Sequence, residues 1–595
     1  MSLNSIICNS ASGLVMTSRQ PGSSTDILRL PLSTINHSFL LIPSLRFICM
    51  EDQVARPTRK ARILEFMRKF FKYTGPGWLM SLAYLDPGNL EADLQAGAYT
   101  GYQLLWVLLL AHIIGFVMQI LAARLGAVSG KHLAEVCREK YPRWVSIVLW
   151  VMTELAIIGS DVQEVVGTAI ALQVLLGIPM WAGVLITAAD TFTFLAVHYM
   201  KGVRAIEVII FALILVMMTC FFINFGIISP SAGDVFSGFL PSNMRHYATL
   251  QAVAIIGAVI MPHNIYLHSA LVTEKDCVDR SSKKAIKEAN YFFTLDSAVA
   301  LTVSFIVNLA LLSSFASGFF SPTCTGRLEP DGTVTNLGCL VGLTEPDDSV
   351  CPGSDPSCHC FNVIGQAGFC AKIGLEEGST ALESFLGSYA KYIFALGLFA
   401  AGQASTLTGT FAGQFVMNGF MKFNVAVWIR TLITRLIAIG PALVIAICQS
   451  AIPSLGEANE WLNVLQSVQL PFAILPLLHF SIDKGVMTDD FALKSKWKIG
   501  VLWLIAFGII GVNFFLVISH ITPMNPAWWI WVIFSTAGVA YLYMCSKCIE
   551  SDLVRLGRFM GIRGRKSERM KTFQEKASES DLQTSPSEGE QIVAN

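Results

Sequence analysis

The stretch Asp86-Pro87-Gly88-Asn89 cuts an apolar run that begins near residue 76, and Met261-Pro262-His263-Asn264 cuts a second run that begins near residue 247. Proline has no backbone N–H and glycine weakens a helix interior, so each run predicts two half-helices with free carbonyls and amides between them. Irregular backbone at membrane depth is tolerated only where it is buried in protein or lines a cavity. Two such breaks, five spans apart, predict repeats of five helices meeting at a central site. A Pro-Gly pair alone would only kink a helix. Asp86 changes that reading, because an aspartate at the helix centre costs about 2.5–3.5 kcal/mol on insertion scales and faces a polar pathway or a partner.

The composition fits this frame. Of 595 residues, 53% are hydrophobic and 14% charged, and the mean hydropathy is +0.56. These values exclude an ordinary soluble domain and predict an all-α polytopic membrane protein with the lipid bilayer as its partner. The formal net charge is zero, which gives no sign of a nucleic-acid partner. Apolar runs long enough to cross about 30 Å of hydrocarbon start near residues 76, 103, 144, 178, 204, 247, 289, 380, 427, 460, 499 and 526, predicting twelve spans. Spans eleven and twelve would lie outside the repeats.

Basic residues fall on every second connection. Arg56, Arg59, Lys60, Arg62, Arg68, Lys69 and Lys72 precede span one, and Lys131, Arg138, Lys140 and Arg143 follow span two. Lys201 and Arg204, then Lys275 to Lys287, Lys422 and Lys484 to Lys498 continue the pattern, so the positive-inside rule places both termini in the cytosol. The predicted organisation is a cytosolic extension over 1–70, a transmembrane domain over 71–548 and a disordered cytosolic tail over 549–595. The first fifty residues are Ser-rich, with Asp26 as their only acid; they read as a transit-like segment, a disordered extension, or a start upstream of Met50.

The connection over 317–378 is predicted outside the cytosol and carries Cys324, Cys339, Cys351, Cys358, Cys360 and Cys370. Oxidising surroundings favour disulfides there, with fifteen pairings open. Cys358-His359-Cys360 can alternatively be read as a metal-capture site. Cys545 and Cys548 form a CxxC at the end of span twelve, for which metal binding, redox chemistry, palmitoylation or no role are all readings.

Asp86 and Asn89 are three positions apart, about one helical turn, so their oxygens can converge on one ion. Ala83 adds a carbonyl, and Ala258 and Met261 repeat the spacing with a carbonyl and a sulfur. Methionine in a helix is ordinarily packing. Opposite a buried carboxylate, its thioether suits first-row transition metals and cadmium rather than calcium or magnesium. His263 has an ordinary pKa near working pH and is a candidate proton carrier beside Asp86; His268, five positions on, faces elsewhere and is the weaker candidate. Span three supplies Glu154, Asp161 and Glu164 within about a third of the helix circumference. With Arg430 and Arg435 on span nine, they form either a polar path or a structural ion-pair network.

These residues carry a resemblance. Besides the two tetrapeptides, Glu154 to Gly167 (ELAIIGSDVQEVVG), Gly257 to Val272 (GAVIMPHNIYLHSALV) and Gly402 to Met417 (GQASTLTGTFAGQFVM) resemble the NRAMP family of proton-coupled divalent metal transporters, over roughly residues 70 to 545. The resemblance implies a leucine-transporter-like 5+5 inverted repeat with discontinuous helices one and six plus two extra helices. It implies metal-ligand roles for Asp86, Asn89, Met261 and the carbonyls of Ala83 and Ala258. It maps a further polar ligand on span ten to Asn463, with Gln466 and Gln469 as neighbouring registers, and favours Arg435 over Arg430 beside a proton-exit route through the span-three acids.

The expectation is a transporter, not an enzyme, that moves Mn2+ or Fe2+ toward the cytosol with protons, without a cofactor and plausibly as a monomer. The plasma membrane, an endolysosomal or vacuolar membrane, and an organellar membrane all fit. Two rivals are an organic-solute transporter on the same fold and a non-transporting NRAMP-like sensor.

Overall fold

The computed structural model describes residues 59–201, 203–241, 245–275, 277–328, 334–341, 359–422, 427–447, 455–522, 527–550 and 552, together with the backbone of 3–9, 13–18 and 26–30. The chain divides after Phe71 into two units. In the first, the strands Leu3–Asn9, Gly13–Ser18 and Asp26–Leu30 form an antiparallel sheet in sequence order, and the helix Arg59–Tyr73 begins. Apart from Ile549, Glu550 and Asp552, the predicted tail lies outside the described residues.

The second unit has helices at each predicted span. Span one is divided into Pro76–Ala83 and Pro87–Thr100, and span six into Thr249–Val259 and Pro262–Glu274. Pro87 and Pro262 each stand at the first position of the second half, where a missing N–H costs no hydrogen bond. The unbroken helices are Leu105–Ser129, Arg143–Leu176, Met180–Lys201, Val203–Ile228, Lys283–Phe319, Ser388–Met421, Val427–Ile447, Lys496–Ile521 and Trp528–Cys548. Helices one and six were the discontinuous ones expected; span ten also divides, into Leu455–Gln469 and Pro471–Ile482, with Pro471 again at a helix start. Among the described residues, eight spans are long and apolar enough to cross a membrane by length and composition.

Burial orders these helices. The apolar window of span six is 89% buried inside the protein, against 33% for span eleven and 6% for span twelve. The broken helices are therefore central, and the last two are peripheral with their apolar faces outward. Small residues permit the close approaches at the centre. A Cβ at Gly97 would stand 2.4 Å from the Leu312 carbonyl, one at Gly167 2.4 Å from Pro87 Cβ, and one at Gly257 2.0 Å from the Asn463 carbonyl.

Buried side chains take up the backbone groups freed by proline. Pro476 leaves the Phe472 carbonyl without its helical donor, and Tyr266 of span six donates to it at 2.9 Å. Similarly, Asn513 of span eleven donates at 2.8 Å to the Ser467 carbonyl, which lies four residues before Pro471. At the surface, the Lys283 ammonium holds the carboxyl of Asp490 below its ordinary range at 2.5 Å.

The long connection folds into short strands rather than helix, because it has no apolar phase to shield its backbone and two disulfides to brace it. Ala367–Ala371 pairs with Gly338–Val341 on one edge and with His359–Phe361 on the other. Cys324 is bonded to Cys370, and Cys339 to Cys360. This corrects the metal-capture reading: the Cys360 sulfur is committed to a disulfide, while Cys351 and Cys358 lie outside the described residues. The helix Leu375–Leu386 follows. Its first amide donates to Glu91 of span one at 2.7 Å, and Tyr99 exchanges hydrogen bonds with both backbone groups of Ile373. Cys545 and Cys548 are free thiols but buried, which weighs against surface palmitoylation.

Candidate metal-binding site

The two breaks meet, and proline decides which carbonyls are free. The carbonyl of Ala83 would be paired in a continuous helix with the N–H of residue 87, and that of Ala258 with the N–H of residue 262. Both of those residues are proline, so both carbonyls need another partner. They lie at the C-terminal ends of Pro76–Ala83 and Thr249–Val259, where the helix dipole is negative and favours a cation.

Asp86 caps the second half of span one, Pro87–Thr100. Its Oδ1 accepts the Asn89 backbone N–H at 2.8 Å and the Asn89 side-chain amide at 2.7 Å. The same amide nitrogen donates to the Ala83 carbonyl at 3.3 Å and the Ala258 carbonyl at 3.0 Å. A single donor thus stands among three oxygens drawn from both breaks. Asp86 Oδ2 and Asn89 Oδ1 are buried with no hydrogen-bond partner. A half-turn of the Asn89 amide exchanges oxygen for nitrogen, and four oxygens then surround a point suited to a cation. Met261 caps the second half of span six and is buried, with 2% of its surface exposed.

Asn463 stands against the break in a different way. Its amide donates to the Gly88 carbonyl at 2.9 Å, and its oxygen accepts from Gln163 of span three at 2.9 Å. Gln163 also donates to the Asn459 carbonyl and accepts from Gln466, both at 2.9 Å. Asn463 therefore has both polar atoms engaged, one on the Gly88 carbonyl and one on the Gln163 side chain. Gln469, beside the unforeseen break in span ten, is buried with neither amide atom partnered. Of the three registers left open on span ten, Gln466 and Gln469 each have an unpartnered side-chain oxygen.

Gln163 was not anticipated, although a glutamine amid the span-three acids was the available signal. Removing an outer partner of this kind typically lowers metal affinity or activity about 10–100-fold. Gln163→Leu is accordingly expected to weaken Mn2+ binding by at least about tenfold while the protein stays folded, measured by titration of the purified protein. Asp93 was also missed. It lies two turns beyond Asp86 on span one, 1% exposed, and its Oδ2 has no partner.

The span-three acids are not all brought together. Glu164 accepts from Ser405 of span eight at 2.5 Å and from Ser160 at 3.4 Å. A Cβ on Gly409 would stand 2.8 Å from Asp161 Oδ1 and 3.1 Å from Glu164 Oε1, so these two acids share one face of span eight. Glu154 is further along span three, bonded to Trp150 at 2.9 Å. His263 and His268 are both buried, His268 beside Gln119 of span two. Arg430 and Arg435 are on the helix Val427–Ile447, but their side chains lie outside what is described.

The sequence model of the family described as natural resistance-associated macrophage protein-like matches residues 77–342 and 361–519. The chain is 46% identical over 466 residues to a metal transporter nramp1 homolog of Dictyostelium discoideum, covering 78% of this chain and 77% of that protein. It is 43% identical over 505 residues to the natural resistance-associated macrophage protein 2 of Homo sapiens, covering 82% of each. A crystal structure of a mutant Eremococcus coleocola manganese transporter superposes with a TM-score of 0.64 at 28% identity, covering 83% of this chain and 96% of that one.

Proposed function

The chain belongs to the natural resistance-associated macrophage protein family, and from that premise we propose that it carries divalent transition metal ions, Mn2+ and Fe2+ foremost, across a membrane toward the cytosol with protons, by alternating access. The observation that carries the reading is the Asn89 amide nitrogen held among Ala83 O, Asp86 Oδ1 and Ala258 O at 2.7–3.3 Å. A dehydrated cation taking the place of that nitrogen would meet a carboxylate and two negative helix ends, with Met261 at the same break to offer a soft thioether. The same negative ends oppose an organic anion, so the solute-transporter reading gains no support.

On span ten, Asn463 stands against the break, and the unpartnered oxygens of Gln466 and Gln469 are the alternatives that could join an ion. Asp161 and Glu164 supply the proton path, with Arg435 as their proposed partner and His263 next to the metal. Glu154 extends the path along span three, and His268 and Arg430 have secondary places in it. The polar edges of this route offset the cost of burying acids in an apolar phase. Connections rich in Lys and Arg place both termini in the cytosol.

Competition of radioactive manganese uptake into proteoliposomes by a panel of metals, at two pH values, tests substrate class and coupling together. Iron and cadmium should compete and calcium should not, and uptake should rise with an inward proton gradient. Equal competition by calcium would overturn the transition-metal reading. Met261→Ala should narrow the preference for manganese over calcium by about tenfold, a difference of about 1.4 kcal/mol in relative binding. Glu164→Gln should keep Mn2+ binding but remove most of the pH dependence of uptake. An unaltered pH profile would exclude Glu164 from the coupling route.

A further inference from the structure

We propose that Asp296 of span seven latches the inner half of span one, and that metal leaves the site toward the cytosol only when this tie parts. The proposal rests on the transport reading above and adds to it the element that must move. Pro76–Ala83 is a rod of eight residues, about 12 Å long at 1.5 Å per residue. At one end it carries the Ala83 carbonyl of the metal site. At the other it begins at Gly75, whose φ of 135° suits glycine and whose position lacks a capping side chain of its own.

The missing cap comes from Asp296, more than two hundred residues away. Asp296 Oδ2 accepts the Gly77 N–H at 2.7 Å and the Gly75 N–H at 3.3 Å, while Oδ1 accepts the Thr74 hydroxyl at 2.7 Å. Lys275, just past span six, donates to the Thr74 carbonyl. The contact is close. A Cβ on Gly77 would stand 2.7 Å from Asp296 Oδ2 and 2.8 Å from its carbonyl carbon. Immediately before the rod, Tyr73 stacks on Phe292 of span seven at 5.5 Å with an interplanar angle of 7°.

The rod is continuous with helix at neither end, since Tyr84 to Asp86 separate it from the outer half and Gly75 separates it from the helix before it. It can therefore swing as a unit. Swinging opens the path beside the ion, so the movement lets the metal out. What opposes the movement is the carboxylate cap, because parting it leaves the first amides of the rod without acceptors. Asp296 is a positioning residue in this scheme: it touches no metal and acts through the rod.

The test compares the intact protein with Asp296→Ala, Asp296→Asn and Thr74→Val by three measurements: amide hydrogen exchange, Mn2+ binding after solubilisation, and Mn2+ uptake in proteoliposomes. Exchange over residues 75–83 should accelerate by at least about tenfold in Asp296→Ala and less in the other two. Maximal uptake should change by about tenfold or more while the Mn2+ dissociation constant changes less than about threefold. Wild-type exchange over 75–83, acceleration spread evenly along span seven, or loss of binding in step with uptake would each overturn the latch. Should Asp296→Ala fail to fold, Asp296→Asn and Thr74→Val carry the same comparison. An intact protein that takes up no manganese, with exchange over 75–83 still accelerated in the variants, would count against transport and not against the tie.

Discussion

Asp86→Asn should abolish manganese uptake by the purified protein in proteoliposomes, by more than about a hundredfold, because it removes a proposed direct ligand where loss of a mere outer partner already costs about 10–100-fold. The substitution is nearly isosteric. Asparagine can still accept the Asn89 backbone N–H that Asp86 Oδ1 accepts at 2.8 Å, so the outer half of span one keeps its cap. What disappears is the negative charge gathered with the Ala83 and Ala258 carbonyls around the Asn89 amide. An ion that has shed most of its water needs that charge, and a neutral amide does not replace it. The unpartnered Asp86 Oδ2 shows that the carboxylate is not used up by its neighbours. Uptake within a few-fold of wild type would remove Asp86 from the proposed metal ligands.

Gly257→Ala is the second large effect, and it acts through packing. The added methyl would stand 2.0 Å from the Asn463 carbonyl oxygen and 2.9 Å from the Ser467 amide nitrogen. Both obstacles are backbone, so no side-chain rotation relieves them and span ten must retreat from span six. Overpacking of this kind typically costs about 1–3 kcal/mol and sometimes more. The retreat would also pull Asn463 away from the Gly88 carbonyl, to which it donates at 2.9 Å. A lowered thermal midpoint together with loss of Mn2+ binding is expected. Gly508→Ala on span eleven is the matched control, since nothing lies within 4 Å of its added Cβ. It should bind and melt as wild type or slightly higher, alanine being the better helix former by about 1 kcal/mol. Equal behaviour of the two variants would mean that the close approach of spans six and ten does not hold the site.

The membrane architecture and both central breaks were legible because they follow from local chemistry. A long apolar run has to span, a proline lacks an N–H, and an aspartate inside such a run needs a reason to be there. The break in span ten is written in the same terms, at Gln469-Leu470-Pro471, but no acid stands beside Pro471 to set it apart from a proline that only kinks a helix. The strands of the loop between spans seven and eight were also missed, since six cysteines announce bridging without stating which partners meet. Cys339 and Cys370 are Cα partners across two strands, yet each bonds to another cysteine.

By itself, then, the sequence determined the class, the broken helices and the residues proposed as ligands at the breaks, because composition sets the first and residues within about one helical turn of one another set the other two. The tertiary structure alone decided how those ligands are held. Gln163 and Asn463 lie 300 positions apart and share one hydrogen bond, and Asp296 caps a helix start 219 positions away. No local pattern encodes such pairings. They arise when close-packed spans leave buried polar groups with few available partners, and each group bonds to whichever partner the packing brings within reach.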